Sequence, residues 1–144
     1  MIVLSGCASV SIMPKQESGY YAVGISVLIK DAVICKSNRP GYASAIGLEL
    51  PDYELIPQPE GVTPAKGCQM REMEYEVAVE NGEHVTVEEF RILDAAFPMA
   101  YPSLHAIGKY GNQNGSGISF YFRLGAAKYP HELIWRKVEG APGA

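Results

Sequence analysis

Much of the chain alternates apolar and polar residues with a period of two, and each such stretch predicts a β-strand. Tyr20–Ile29 reads YYAVGISVLI. Tyr21, Val23, Ile25, Val27 and Ile29 line one face, while Tyr20, Ala22, Gly24, Ser26 and Leu28 make a second face that is small or apolar. A strand that tolerates burial on both faces is expected to be central. Lys30-Asp31 suits a turn, after which Ala32–Cys35 is expected to return as a short partner strand. Glu74–Glu80 (EYEVAVE) sets acids against Tyr75, Val77 and Val79, the pattern of a half-buried strand. Asn81-Gly82 follows, a strong hairpin signal. A three-residue loop, Glu80-Asn81-Gly82 with Gly82 left-handed, would place Val77 across from Val85. A plain two-residue turn would slip the register and turn the apolar side to water. The rival is a helix over Gln69–Glu80 using Met70, Met73 and Val77, but the strict alternation and the valines favour the strand. Ile118–Leu124 (ISFYFRL) points Ile118, Phe120, Phe122 and Leu124 inward, and Glu132–Val138 carries the one tryptophan, Trp135. Ala43–Leu50 and Ser103–Tyr110 complete the strands.

One segment reads as helical. Thr86 and Glu89 form a capping-box pattern, and Glu88 and Glu89 suit a helix start. Phe90, Leu93 and Phe97 then share a face, and Pro98 stops the run. This predicts a helix over Val87–Phe97. Continuing the strand instead would set Glu74 opposite Glu88, an unfavourable like-charge pair. Pro51–Gly67 holds Pro51, Pro57, Pro59, Pro64 and Gly61 and resists both helix and central strand. It is expected as a long irregular segment, with shorter loops over Lys36–Tyr42 and Gly111–Gly117. Seven or eight short strands and one short helix predict a mainly β fold, an antiparallel sandwich or partly open barrel.

The 144 residues suit one domain, placed at 20–138 with a flexible Gly/Pro/Ala tail over 139–144. Hydrophobic residues are 47% and charged residues 19%, so the body can bury a core and is not disordered by composition. A net charge of −4 leaves no basic excess and argues against a nucleic-acid partner.

Near the start, Leu4-Ser5-Gly6-Cys7 resembles the lipobox of bacterial membrane lipoproteins, in which a branched apolar residue and two small residues precede a cysteine. The resemblance covers only these residues and the Ala8-Ser9 that follows. It implies that Cys7 carries the lipid, that residues 1–6 are removed as a remnant of a signal peptide, and that 7–19 form an anchor and spacer. Ala8 and Ser9 stand where an inner-membrane retention signal would have Asp, which implies the outer membrane, facing the periplasm. A signal peptide needs a basic start and an apolar stretch of about 7–15 residues. Only Met1-Ile2-Val3-Leu4 precedes the box, so the true start is expected upstream of Met1. No stretch approaches the roughly 20 apolar residues of a membrane-spanning helix, and the expectation is a tethered chain.

With Cys7 committed to lipid, Cys35 and Cys68 remain, and an even remainder in an oxidising compartment reads as one disulfide. It would close a loop of roughly 34 residues and contribute about 3–4 kcal/mol. Two buried free thiols are the alternative if the chain is cytosolic. Neither cysteine sits in a C-x-x-C pair, which leaves thiol redox catalysis and zinc binding without support.

The candidate chemistry is sparse. His84, His105 and His131 lack the spacing that holds a metal, and packed or solvated rings are expected. Gly115-Ser116-Gly117 is followed by a strand pattern, with no GKS/T, so it reads as a loop and not a phosphate cradle. No nucleophile elbow is present. No metal, cofactor or catalytic residue is assigned. Glu74, Glu76 and Glu80 are expected on one strand face that could dock a basic protein through complementary charge, and a simply solvated face is the plainer expectation. Tyr53, Tyr101, Tyr110 and Tyr129, in or beside predicted loops, are candidate contact residues. The leading expectation is a non-enzymatic, lipid-anchored adaptor, assembly component or inhibitor of an envelope protein. The alternatives are a small-ligand binder with a pocket lined by Phe120, Phe122 and Trp135, and a cytosolic domain or enzyme if Met1 is the true start.

Overall fold

The structure, a computed structural model, describes residues 8–12, 23–37, 50–95, 103–111, 117–126 and 132–138. The elements in chain order are β1 (Ala8–Ile12), β2 (Gly24–Leu28), β3 (Ala32–Ser37), β4 (Tyr53–Pro57), α1 (Pro64–Gln69), β5 (Met73–Val79), β6 (His84–Ala95), β7 (Ser103–Tyr110), β8 (Ile118–Ala126) and β9 (Trp135–Lys137). The fold is mainly β with one short helix, as the alternation predicts. The strands form one sheet in the order β5-β3-β4-β8-β7-β6-β2-β9, with β1 on the later half of β6. Every pairing is antiparallel except β4–β8, which is parallel and only two residue pairs long, Tyr53↔Phe120 and Glu54↔Tyr121.

Chain reversals shape the sheet. Bends lead from β2 to β3 and from β5 to β6, yet neither pair of strands is hydrogen-bonded. Both reversals carry the chain from one layer to a facing layer. The two crossings are tied together: Gly82 N donates to Leu28 O, Leu28 N to Glu83 O, and Asn81 N to Asp31 Oδ1, each at 2.9 Å. Gly82 has φ +96°, the left-handed conformation expected of it. The predicted Val77↔Val85 pairing is therefore corrected: Val77 lies opposite Ile34, and Val85 lies between Ser26 and Tyr110. Likewise β3 pairs with β4 and β5, not with β2.

β5-β3-β4 faces β8-β7-β6-β2-β9 across one apolar core. Ile34, Leu55 and Val79 on the first side meet Leu28, Val87, Phe90, Leu104, Phe120, Phe122, Leu124 and Trp135 on the second. The path ends at β5 and β9, which are not paired with each other, so the sheet is sandwich-like and not a closed barrel. Ile118, Phe120, Phe122 and Leu124 point inward as predicted. Gly108 lets β7 approach closely, since a Cβ there would lie 2.6 Å from Thr86 O and 2.9 Å from Phe120 Cζ. In β2 the small face is the buried one: Gly24, Ser26 and Leu28 are inside, while Ile25 and Ile29 are exposed.

Two further expectations are overturned. The helix expected over Val87–Phe97 gives way to strand: as far as Ala95 the segment belongs to the 12-residue strand β6, and 96–97 lie outside the described residues. The register shifts between Val87 and Glu89, so Glu88 is an extra residue, and Val85, Val87, Phe90 and Ile92 all reach the core. The feared Glu74–Glu88 repulsion does not arise because β6 pairs with β7 and β2, and Glu88 lies 3.9 Å from Lys109. Pro51–Gly67 is not irregular either. It contains β4, an inner strand with Pro57 as its last residue, and the start of α1. Thr63 caps α1, its Oγ1 accepting from Lys66 N at 3.2 Å, and Pro64 sits at the position where its missing N–H costs nothing.

A second, smaller apolar cluster lies on the other side of β3 and β4. Val33, Cys35, Ile56 and Cys68 are buried there with Met73 against them. The Cys35–Cys68 disulfide, with Cα atoms 5.6 Å apart, pins α1 over this patch. The residues expected as a spacer include β1, which runs antiparallel to β6 from Ala8↔Ala95 to Ile12↔Arg91. Cys7, 13–19, 43–49, His131, Tyr101, Tyr129 and 139–144 lie outside the described residues.

Candidate functional site

Two surfaces carry the polar groups. The first is β5, at one end of the sheet. Among the described residues no strand pairs with its outer edge. Glu74, Tyr75, Glu76 and Glu80 are all exposed. The common acidic face predicted for them is interrupted, because the β3–β5 register shifts at Ile34/Cys35: Tyr75 lies opposite Cys35 and Val77 opposite Ile34, which leaves Glu76 as the extra residue. Glu74 lies opposite Lys36. Glu74 and Glu76 are exposed on β5, and Glu80 is exposed just past its end. Behind that edge, the disulfide joins β3, the neighbour of β5, to α1.

The second surface was not anticipated as a site. On the outer side of the sheet, away from the main core, β4, β8 and β7 bring Glu54, Tyr121, Arg123 and His105 together. Glu54 is buried at 3% exposure. Its Oε1 accepts from the Tyr121 hydroxyl at 3.2 Å, and its Oε2 lies 3.2 Å from Arg123 Nε and 4.0 Å from Arg71 Nη1. Oε2 is held by charge and not by a well-aligned hydrogen bond. Arg123 Nη2 also donates to the Tyr121 oxygen at 3.4 Å, and its guanidinium lies 5.6 Å from the Tyr121 ring centre. His105, opposite both Arg123 and Arg91, meets the Tyr121 ring edge-on at 6.0 Å.

Burial dominates the electrostatics. Desolvation raises the Glu54 pKa, and the attraction of Arg123 and Arg71 and the Tyr121 hydrogen bond only partly offset it. Desolvation, helped by the Arg123 charge, lowers His105 to about 4, so the ring is neutral at pH 7. Tyr121 is raised, first by burial and then by the Glu54 charge. Burial opposes the charge of Arg123, but its contacts with Tyr121 and Glu54 outweigh that and hold it protonated. The cluster can neutralise or display charge. Among the described residues no group of His, Cys, Asp and Glu is arranged to hold a metal ion.

The remaining candidates are placed as follows. His84 is exposed and His105 packed, as expected of histidines without ligand spacing. Tyr53 packs against the core, and the half-buried Tyr110 donates from its hydroxyl to Glu83 Oε1 at 2.6 Å, which pushes its pKa up to about 12. Phe120, Phe122 and Trp135 belong to the packed interior, with the Phe122 and Trp135 rings edge-to-face at 4.9 Å. Among the described residues no helix is long and apolar enough to cross a membrane.

Compared with protein-family models, curated proteins and solved structures, the chain shows no match to any of them. The sequence offered partial signals for the second surface. Tyr121 and Arg123 are the outward residues of an alternating strand, and Glu54 is a lone acid inside the run Tyr53-Glu54-Leu55-Ile56.

Proposed function

We propose that the chain is a lipid-anchored bacterial envelope protein that works without catalysis, as an adaptor, assembly component or inhibitor, and that its partner docks along β5. The observation that carries this reading is the end strand itself, with exposed Glu74, Tyr75, Glu76 and Glu80 and an outer edge unpaired among the described residues. Unpaired edge amides and carbonyls are a template for an added strand, and flanking acids favour a basic partner. The disulfide backing this edge supports an oxidising compartment. The Leu4-Ser5-Gly6-Cys7 resemblance supports the anchor, and two or three acyl chains would hold it firmly in a bilayer. The edge-to-face packing of Phe122 and Trp135, in the same buried core as Phe120, weighs against a ligand pocket between them.

Two measurements test the reading. Intact mass without reduction, on protein expressed from its native upstream DNA, should lack residues 1–6 and carry acyl mass on Cys7. An unmodified chain from Met1 would remove the anchor. A photo-crosslinking residue at Tyr75 should trap a partner in cells, and the triple change Glu74→Ala, Glu76→Ala, Glu80→Ala should weaken capture at low salt at least several-fold. Undiminished capture by the triple variant would remove β5 as the docking edge.

A further inference from the structure

Two guanidinium groups converge on a single carboxylate oxygen. Arg123 Nε lies 3.2 Å and Arg71 Nη1 4.0 Å from Glu54 Oε2. One ionised carboxylate cannot neutralise two arginines, which remain charged at any pH a protein meets. The arrangement therefore carries surplus positive charge.

Burial sorts the three groups by depth. The Glu54 side chain is 4% exposed, whereas those of Arg123 and Arg71 are 60% and 52% exposed. The anion is sunk into the sheet and the cations stand at the surface. Arg123 spends Nε on Glu54 and Nη2 on Tyr121, and among the described residues its Nη1 has no partner. Arg71 is too far from Glu54 for a hydrogen bond at 4.0 Å, so its donors are uncommitted among the described residues. The two arginines also come from different supports. Arg123 is on β8, and Arg71 follows α1, whose last turns are fixed to β3 by the disulfide. Planar guanidinium forks placed this way match the oxygens of carboxylate and phosphate groups.

We propose that Arg71 and Arg123 form a surface site for a compact oxyanion, a phosphate or carboxylate group on a small ligand, with Glu54 buried beneath them. The site uses none of the β5 glutamates and stands whether or not β5 docks a partner. The competing role for the cluster is purely mechanical, a tie across the short parallel β4–β8 seam.

The test is a titration of the full, disulfide-bonded chain, labelled with ¹⁵N, following the arginine Nε–H signals at fixed ionic strength. Inorganic phosphate and succinate are the probes. The site predicts saturable shifts of the Arg71 and Arg123 signals with at least one probe, and which probe saturates says whether the ligand presents phosphate or carboxylate. Arg71→Gln should weaken that binding about tenfold or more. Glu54→Gln removes the competing negative charge and keeps an acceptor for Tyr121, so it should tighten binding several-fold. A mechanical tie predicts no such gain. Non-saturating shifts with both probes, or shifts unchanged in Arg71→Gln, would overturn the site. Because Arg71 is half exposed, that variant decides the matter even if Glu54→Gln fails to fold.

Discussion

The two layers of the sheet are buried in different ways. β6 faces the core with one side, and its sequence alternates on that side: Val85 and Val87 are buried while His84 and Glu88 are exposed and Thr86 is half-buried between them. β3 is buried on both sides. Ala32, Val33, Ile34 and Cys35 are all inaccessible, split between the main core and the patch under α1. A strand covered twice needs a continuous apolar run, and a strand covered once needs alternation. A helix of six residues is too short to stand alone, so the second cover of β3 depends on the covalent link between Cys35 and Cys68.

That contrast can be broken at the core, at the cover and on the open face. Phe120→Ala removes a fully buried ring shared by both layers and should cost about 3–5 kcal/mol by urea melting, in one cooperative transition. A small loss would mean that the layers do not share one core. Replacing both Cys35 and Cys68 by Ala should cost about 2–5 kcal/mol. Its signature is regional: amide exchange should accelerate in α1 and β5 first, with β7 and β8 still protected. Uniform acceleration would erase the distinction between the layers.

On the open face, His105→Phe should reduce the loss of stability between pH 7 and pH 5 by about 2 kcal/mol. The folded pKa of about 4 lies below the ordinary value of 6.5, so acid protonates the unfolded chain first and stability falls as pH drops through 6.5 toward 4. Glu54 acts in the opposite sense. Its folded pKa is raised, so its contribution grows more favourable as pH falls through that value toward 4.5. Paired melts of wild type and variant across this range isolate the histidine, and an identical acid response in both would refute its assignment.

Local pattern revealed β5 and β8, because their alternation is intact in sequence over most of their length. It misread β6 for a specific reason. Thr86 and Glu89 imitate a capping box and Phe90, Leu93 and Phe97 a helical face, while the extra residue Glu88 breaks the alternation that would have marked a strand. In β4 the prolines misled, since Pro51 lies before the strand and Pro57 closes it, leaving the amides between them free to pair. Asn81-Gly82 announced a reversal correctly but could not say whether the strands would meet edge to edge or face to face. The disulfide was legible from cysteine arithmetic. The Glu54 cluster was not, because its members come from β4, β7, β8 and the turn that follows α1, and only the long-range register β4–β8 joins the strands that carry them.

The crossings at Asp31 and Asn81 also bear on how quickly the molecule can form. Neither reversal lets its flanking strands zip from the turn outward. β2 must find β6 and β9, β3 must find β5, and β4 must find β8, all distant in the chain. Such high contact order places folding toward the slow, millisecond-to-second end for domains of this kind. The β6–β7 and β7–β8 hairpins are exceptions, each with partners adjacent in sequence and eight residue pairs. Together they are the natural nucleus, and the strands that join late are the ones whose apolar surface stays exposed longest during folding.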